Sequence, residues 1–328
     1  MRYWLTLISL TFALLGLEAE EYNGSKVLYG VEELCEPNSN SDECSSDLAT
    51  DKLVTNFSQI PANLLYFSKQ SLPKNGGITT DSADVDDANQ NVGVGSFAVD
   101  SITTGIRNTG VGVFALSETD TGSKNSALGY VALYNNRSGD DNTAVGYEAL
   151  YTNYSGSYNT AVGKNSLHYN SSGTYNSAFG LKALNSNTTG HYNTALGSRA
   201  LHDNTEGSNN TAVGYTALFS ATGSGNTAMG ESAMYYTTTG AYNTAIGTQA
   251  MYTNTEGDEN TALGYYAMYS NTNGSYNTAQ GYHAMYFNTT GSYNTAIGHR
   301  AMVSNTSGVG NTALGYYSLY DNQEGDEN

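Results

Sequence analysis

The segment Asn142-Thr-Ala-Val-Gly-Tyr-Glu-Ala-Leu-Tyr-Thr-Asn-Tyr-Ser-Gly-Ser-Tyr158 recurs, with variations, from Asn91 to the last residue, Asn328. Its opening asparagine returns every 17 residues, except that the step from Asn210 to Asn226 is 16 residues. A short fixed period is typical of solenoids, in which single units cannot bury a core and must stack. Positions 1 to 17 of the repeat are counted from this asparagine.

Four further positions indicate the fold. Position 5 is Gly throughout, and so is position 15 if the 16-residue copy is allowed a gap before Gly223. Position 4 is apolar except at Gln280, and position 9 is Val99 and then Leu or Met. Gly twice per coil, with many Asn and Thr, argues against helix. We expect two short strands per coil, with positions 4 and 9 as the core. The sequence predicts an all-β, parallel β-solenoid (β-roll) with 17-residue coils, a rod on the order of 65–70 Å long at ~4.8 Å per coil.

The asparagine at position 1 is predicted to form a ladder. When coils stack in register, each side-chain amide lies next to those of the neighbouring coils and bonds to them, as in other stacked β structures. The members of this structural ladder are Asn142, Asn159, Asn176, Asn193, Asn210, Asn226, Asn243, Asn260, Asn277, Asn294 and Asn311.

The N-terminal part of the chain is not periodic. Residues 1–19, with Arg2 before an apolar run and Ala19 at the end, are predicted to be a secretory signal peptide; a retained anchor is the alternative. Residues 20–90 form a non-repetitive segment, and residues 91–328 hold fourteen repeats plus the first residue of another. In an exported protein Cys35 and Cys44 are expected to form a disulfide. The repeat pattern stops abruptly, which indicates either a cut from a longer protein or an open coil that stacks on another molecule.

Composition narrows the classes of function. The formal net charge of −18 argues against nucleic acid or an anionic membrane surface as a partner. The five His residues fall at scattered repeat positions, and no nucleophile, base and orienting group recur together. The sequence therefore predicts a non-enzymatic protein without metal or cofactor.

Three sets of polar and aromatic residues are candidates for a surface role. Tyr recurs at positions 6 and 10, either lining contacts between chains or stacking at the surface. Thr recurs at position 2, as in an ice-binding face, but alternation puts it on the same side as position 4, so we expect it to point inward. Six sequons share position 12 and would carry a row of N-linked sugars, unless they serve only as turns. These are Asn136, Asn153, Asn170, Asn187, Asn288 and Asn305.

Segments such as Asn142-Thr-Ala-Val-Gly146 and Asn294-Thr-Ala-Ile-Gly298 resemble the Asn-Ser-Val-Ala-Ile-Gly repeats of trimeric autotransporter adhesin heads. The 17-residue unit also looks like repeats of phage-tail-fibre-like surface proteins. The resemblance covers residues 91–328 and implies a left-handed β-roll, three chains to a head, that binds a surface. This chain differs from the adhesin repeats in its unit length, in having one fewer residue between the Asn and the Gly, and in its many Tyr.

Together these features predict a secreted, extracellular or cell-surface protein that associates with itself, as a homotrimer or an end-to-end filament. The expected role is a structural rod or a subunit of a surface fibre. The alternatives are an adhesin that recognises glycans or another surface ligand and, more remotely, an ice-binding solenoid.

Overall fold

The computed structural model describes residues 90–328 and four strands before them: β1 (Glu18–Tyr22), β2 (Ser25–Tyr29), β3 (Leu53–Val54) and β4 (Ile78–Thr80). The chain separates into two compact units, Met1–Leu72 and Pro73–Asn328. In the first unit β1, β2 and β3 form an antiparallel sheet. Cys35, Cys44 and residues 1–17 lie outside the described residues, so the disulfide and the signal peptide stay predictions.

The second unit is a β-solenoid, as the sequence predicts. Fourteen three-residue strands pair in parallel and in chain order, and β4 adds one antiparallel strand beside the first of them. Partner residues in adjacent strands hold the same repeat position, so the coils are in register. The strands are β5 (Val92–Val94), β6 (Thr109–Val111), β7 (Ser126–Leu128), β8 (Thr143–Val145), β9 (Thr160–Val162), β10 (Ser177–Phe179), β11 (Thr194–Leu196), β12 (Thr211–Val213), β13 (Thr227–Met229), β14 (Thr244–Ile246), β15 (Thr261–Leu263), β16 (Thr278–Gln280), β17 (Thr295–Ile297) and β18 (Thr312–Leu314).

Each coil contains one strand, so the expectation of two was wrong. Repeat positions 6 to 10 of each coil form a corner. The residues at position 7, and at position 9 in most coils, are not glycine yet have left-handed backbone angles, as at Glu148 (φ 53°) and Leu150 (φ 52°). Alternate backbone amides there donate to opposite neighbours: Asn165 N to Tyr147 O in the previous coil, and Leu167 N to Ala183 O in the next. The corner thus keeps bonds to both adjacent coils without extended conformation.

The core of the solenoid is narrower than predicted. Ala at positions 3 and 8 and Leu or Met at position 9 are fully buried through most of its length, as are Ala178, Ala183 and Leu184. Position 4 points outward, with Leu128 and Leu196 about half exposed, so its assignment to the core was wrong. Position 2 lies on the same side of the strand as position 4, so the Thr column faces solvent. The expectation that it points inward was wrong.

Among the described residues there is no helix, and hence none long and apolar enough to cross a membrane. The fourteen parallel strands, spaced at ~4.8 Å, extend over ~62 Å. This stack carries columns of identical or related side chains along its length, inside and outside.

Candidate functional site

Position 1 forms an unbroken column of buried asparagines. At the centre of the solenoid, Asn176 Oδ1 accepts the backbone N–H of Asn193 at 2.9 Å, and Asn176 Nδ2 donates to Gly190 O at 2.8 Å. The same two bonds recur along the column, for example between Asn210 and its neighbours. The Asn side chain therefore hydrogen-bonds one coil to the next, and it also bonds the start of its own coil to the Gly near the end of that coil. The inter-coil bond runs mainly to backbone N–H groups, with amide-to-amide contacts only at some steps.

Position 12 forms a second buried column, and this contradicts its assignment as a row of sugar sites. Asn170 Nδ2 donates to Asn153 Oδ1 at 2.7 Å and to Gly173 O at 2.9 Å. All six candidate sequons are 0% exposed: Asn136, Asn153, Asn170, Asn187, Asn288 and Asn305. A glycan on Nδ2 would displace these bonds, and the buried nitrogen offers it no path to solvent. The folded solenoid cannot accommodate sugars at these positions.

We therefore expect no glycan on these six asparagines when the full chain is secreted from a glycosylating host. The measurement is peptide-level mass spectrometry with and without deglycosylation. The exposed sequon asparagines Asn209 and Asn273 provide an internal reference within the same solenoid. Occupancy at two or more of the six buried positions in folded protein would contradict the second column.

The second column is interrupted where position 12 is not Asn. Thr119, Ala221 and Thr237 are fully buried there. The Oγ1 atoms of both threonines lack a hydrogen-bond partner, and so does Asn204 Oδ1, because Ala221 replaces the next donor. Buried polar atoms without a partner destabilise a fold by roughly 1–3 kcal/mol each. These interruptions are local weak points in an otherwise satisfied interior.

Replacing Thr237 by Asn is expected to stabilise the solenoid by about 1 kcal/mol, because the new amide reaches both Asn254 and the Gly240 carbonyl as other members of the column do. Thr237→Val is the matched control, since it removes the unpaired hydroxyl and adds no bond. Urea unfolding followed by circular dichroism compares the three proteins. If Thr237→Asn unfolds at lower urea than the wild type, the assigned role of position 12 is wrong.

A third polar column, at position 16, is one that the sequence reasoning missed. Its side chains accept the backbone N–H of the preceding coil: Ser123 N donates to Asp140 Oδ1 at 2.8 Å, and Asp140 N donates to Ser157 Oγ at 3.0 Å. His191 Nδ1 accepts from Thr174 N in the same way. The available signal was that Ser, Asp, Thr and His, all able to accept a hydrogen bond, fill most of this position.

Aromatic side chains form stacked columns on the surface. At position 17, Tyr175 stacks on Tyr158 with ring centroids 4.7 Å apart and on Tyr192 at 5.0 Å. Position 10 carries a longer series that includes Tyr252 and Tyr269 at 5.1 Å. Because the rings lie face to face along the rod, each covers its neighbours' faces. The columns present mainly ring edges and hydroxyl groups to solvent.

The surroundings of the aromatic columns raise the pKa values of several Tyr side chains and lower the pKa of His168. Burial raises the pKa of Tyr252, Tyr269 and Tyr286 above the ordinary tyrosine value. A hydrogen bond with Tyr266 raises the pKa of Tyr265 to about 12. Burial lowers the pKa of His168 below its ordinary value. The phenols are therefore protonated hydrogen-bond donors under physiological conditions.

The outward side of the sheet combines the Thr column at position 2 with the apolar column at position 4. The position 4 side chains differ in size, from Val213 to Phe179 and Met229, and Gln280 interrupts them. The face is thus continuous but uneven.

Within residues 90–328 and the four earlier strands, no three His, Cys, Asp or Glu side chains converge as metal ligands would. Comparison with known protein families, characterised proteins and solved structures gives no match to this chain.

Proposed function

We propose that the protein is a non-enzymatic structural rod, secreted and built into an extracellular surface fibre. The observation that carries this proposal is the repetition of the interior. Asn at position 1, and Asn at position 12 in most coils, recur with the same hydrogen bonds, and Ala at 3 and 8 and Leu or Met at 9 are buried in the same way through most of the length. A catalytic centre brings different residues together at one place, whereas uniform interior columns favour stiffness along the whole length. The apolar N-terminal run and the acidic composition are consistent with export.

An adhesin-type binding module is the second candidate, and the exposed aromatic columns favour it. Tyr192 and Tyr293 are more than half exposed, and such rings are common at binding surfaces. However, a sugar or apolar ligand packs on ring faces, and stacking within the columns covers most of those faces. The tyrosine columns therefore support lateral stiffness better than ligand capture.

Ice binding is a third candidate, because the Thr column at position 2 faces solvent. An ordered water layer needs a flat array, and the neighbouring position 4 includes Phe179, Met229 and Gln280, which break the flatness. For this reason ice binding is less well supported than the structural role.

Immunogold electron microscopy of source cells tests the structural role, with an antibody raised against a solenoid segment. We expect labelled surface filaments with gold along their shafts. Label confined to the interior of the cells, or scattered as single particles without filaments, would contradict a fibre subunit. Label restricted to filament tips would favour the adhesin.

A further inference from the structure

The outward side of β5 to β18 is an uncharged surface on an acidic protein. It comprises the side chains at positions 2 and 4, and we call it the sheet face. There are two such positions on each of the fourteen strands, and none holds a charged residue. The chain as a whole carries a formal charge of −18, so this stripe differs sharply from the average composition.

The sheet face exposes more apolar surface than a solvated strand needs. Leu128 is 52% exposed, Leu196 50%, Met229 45% and Ile246 41%. These residues lie in one column that extends along the rod. Continuous apolar patches of more than a few hundred Å² on soluble proteins mark interaction surfaces.

The dimensions of the face are sufficient for a stable interface. It extends over ~62 Å, and a three-residue strand is ~10 Å wide, so the strands alone span about 600 Å². The flanking columns at positions 17 and 6 hold tyrosines such as Tyr175 and Tyr147 and also charged residues such as Lys164 and Glu231. They surround the neutral sheet face as a mixed rim and widen the contact to about 1,200 Å², compared with roughly 800 Å² per partner in a standard protein interface.

The spacing of side chains on the sheet face indicates what kind of partner fits it. Side chains on the sheet face recur at the strand spacing of ~4.8 Å, and a dry contact over thirteen steps requires a surface with the same spacing. A globular partner, whose surface has no such repeat, would lose register after a few strands. The same face of a second copy keeps register along the whole rod and brings neutral residues against neutral residues.

We propose that the sheet face is an interface between copies of this chain, with position 4 residues such as Leu196 and Ile246 at its centre. This inference deepens the proposed fibre role, because it names the surface through which subunits associate laterally. It also accounts for the exclusion of charge from a face that the solenoid fold alone leaves open to solvent.

The test is sedimentation velocity of the full chain over a concentration series. We expect wild type to sediment as an oligomer and Leu196→Lys/Ile246→Lys to dissociate at least tenfold more readily. The matched control is Tyr169→Lys/Phe287→Lys, which changes equally exposed side chains at position 11, outside the strands, and should associate as the wild type does. Circular dichroism verifies the fold of each variant, and Leu196→Thr/Ile246→Thr replaces the lysine pair if that pair does not fold.

A wild type that sediments as a monomer at all concentrations would overturn the interface, as would equal effects of the two lysine pairs. Thermal hysteresis that the Leu196 and Ile246 substitutions abolish would assign the face to ice instead. A monomeric rod of the expected length contradicts only the interface. Labelled cells without filaments contradict the fibre role itself.

Discussion

Gly180→Ala is expected to destabilise the solenoid by at least ~4 kcal/mol, at the upper end of single-substitution effects. Gly180 has φ +136°, a conformation that L side chains rarely adopt, and an added Cβ would lie 2.5 Å from Gly197 O and 2.7 Å from Gly197 C. Both obstacles are backbone, so no side-chain rotation relieves them. Because every coil stacks through this position, a displaced coil also disturbs its neighbours.

Two alanine substitutions within the same chain separate the causes. Gly315 has a similar backbone angle, φ +118°, but a Cβ there meets nothing within 4 Å, so Gly315→Ala measures conformational strain alone. Gly110 occupies position 3, where other coils have Ala, and its nearest contacts are 3.0 Å or more away. In urea unfolding we expect Gly180→Ala to lose far more stability than Gly315→Ala, and Gly110→Ala to lose least. Equal losses at Gly180 and Gly315 would show that close coil contact is unimportant.

Asn176→Ala is expected to cost about 2–4 kcal/mol, because it leaves the buried N–H of Asn193 without an acceptor and opens a cavity. The Gly190 carbonyl keeps one donor, Asn187 Nδ2 at 3.0 Å, so the loss falls mainly on the bond between coils. Urea unfolding provides the measurement. The control is Asn273→Ala, which removes an exposed amide bonded only to the Glu256 carboxylate and should change stability by less than ~0.5 kcal/mol.

Asn176→Asp sharpens the same prediction through its pH dependence. The carboxylate keeps the acceptor for Asn193 but places an oxygen against Gly190 O, and burial raises the pKa of the new carboxyl above its unfolded value of about 3.9. The folded state then holds a proton that the unfolded state releases, so stability falls as pH rises above ~4 and recovers below it. A variant whose loss relative to wild type is the same at pH 3 and pH 7 would contradict a buried donor role for Asn176 Nδ2.

The sequence predicted the period, the parallel stack and the column at position 1, because each of these depends only on recurrence. Asn176 and Asn193 have to lie beside each other in any register-matched stack of 17-residue coils. The two glycine columns were likewise predictable as places of close approach. Gly180 and Gly156 both fit that expectation, since a Cβ at either would clash with the next coil.

Alternation alone did not predict which side of the strand faces the core. Alternation groups Thr143 with Val145 and separates both from Ala144, but it does not say which side is inside. The apolar residue seemed the natural core, yet the coil is too narrow for a large side chain from the strand in addition to Leu150 from the corner. Ala144, fully buried, is the residue that fits beside it.

The second asparagine column was misread because position 12 often satisfies the sequon pattern. The signal that distinguishes the two interpretations is that Asn persists where the sequon is broken. Asn204 and Asn254 are followed by Thr-Glu, and Asn271 is followed by Thr-Asn, so none of these can be glycosylated as a sequon. All three are buried in the column nevertheless. Because Asn recurs at position 12 even where the sequon is broken, the residue has a structural role.

Cryo-electron microscopy of the purified full chain tests the central claim, that stacked coils with continuous side-chain columns make a stiff rod. We expect straight particles that contain a regular segment of ~62 Å, with strands perpendicular to its axis and spaced at ~4.8 Å. Compact particles without an elongated segment, or strands parallel to the long axis, would contradict it.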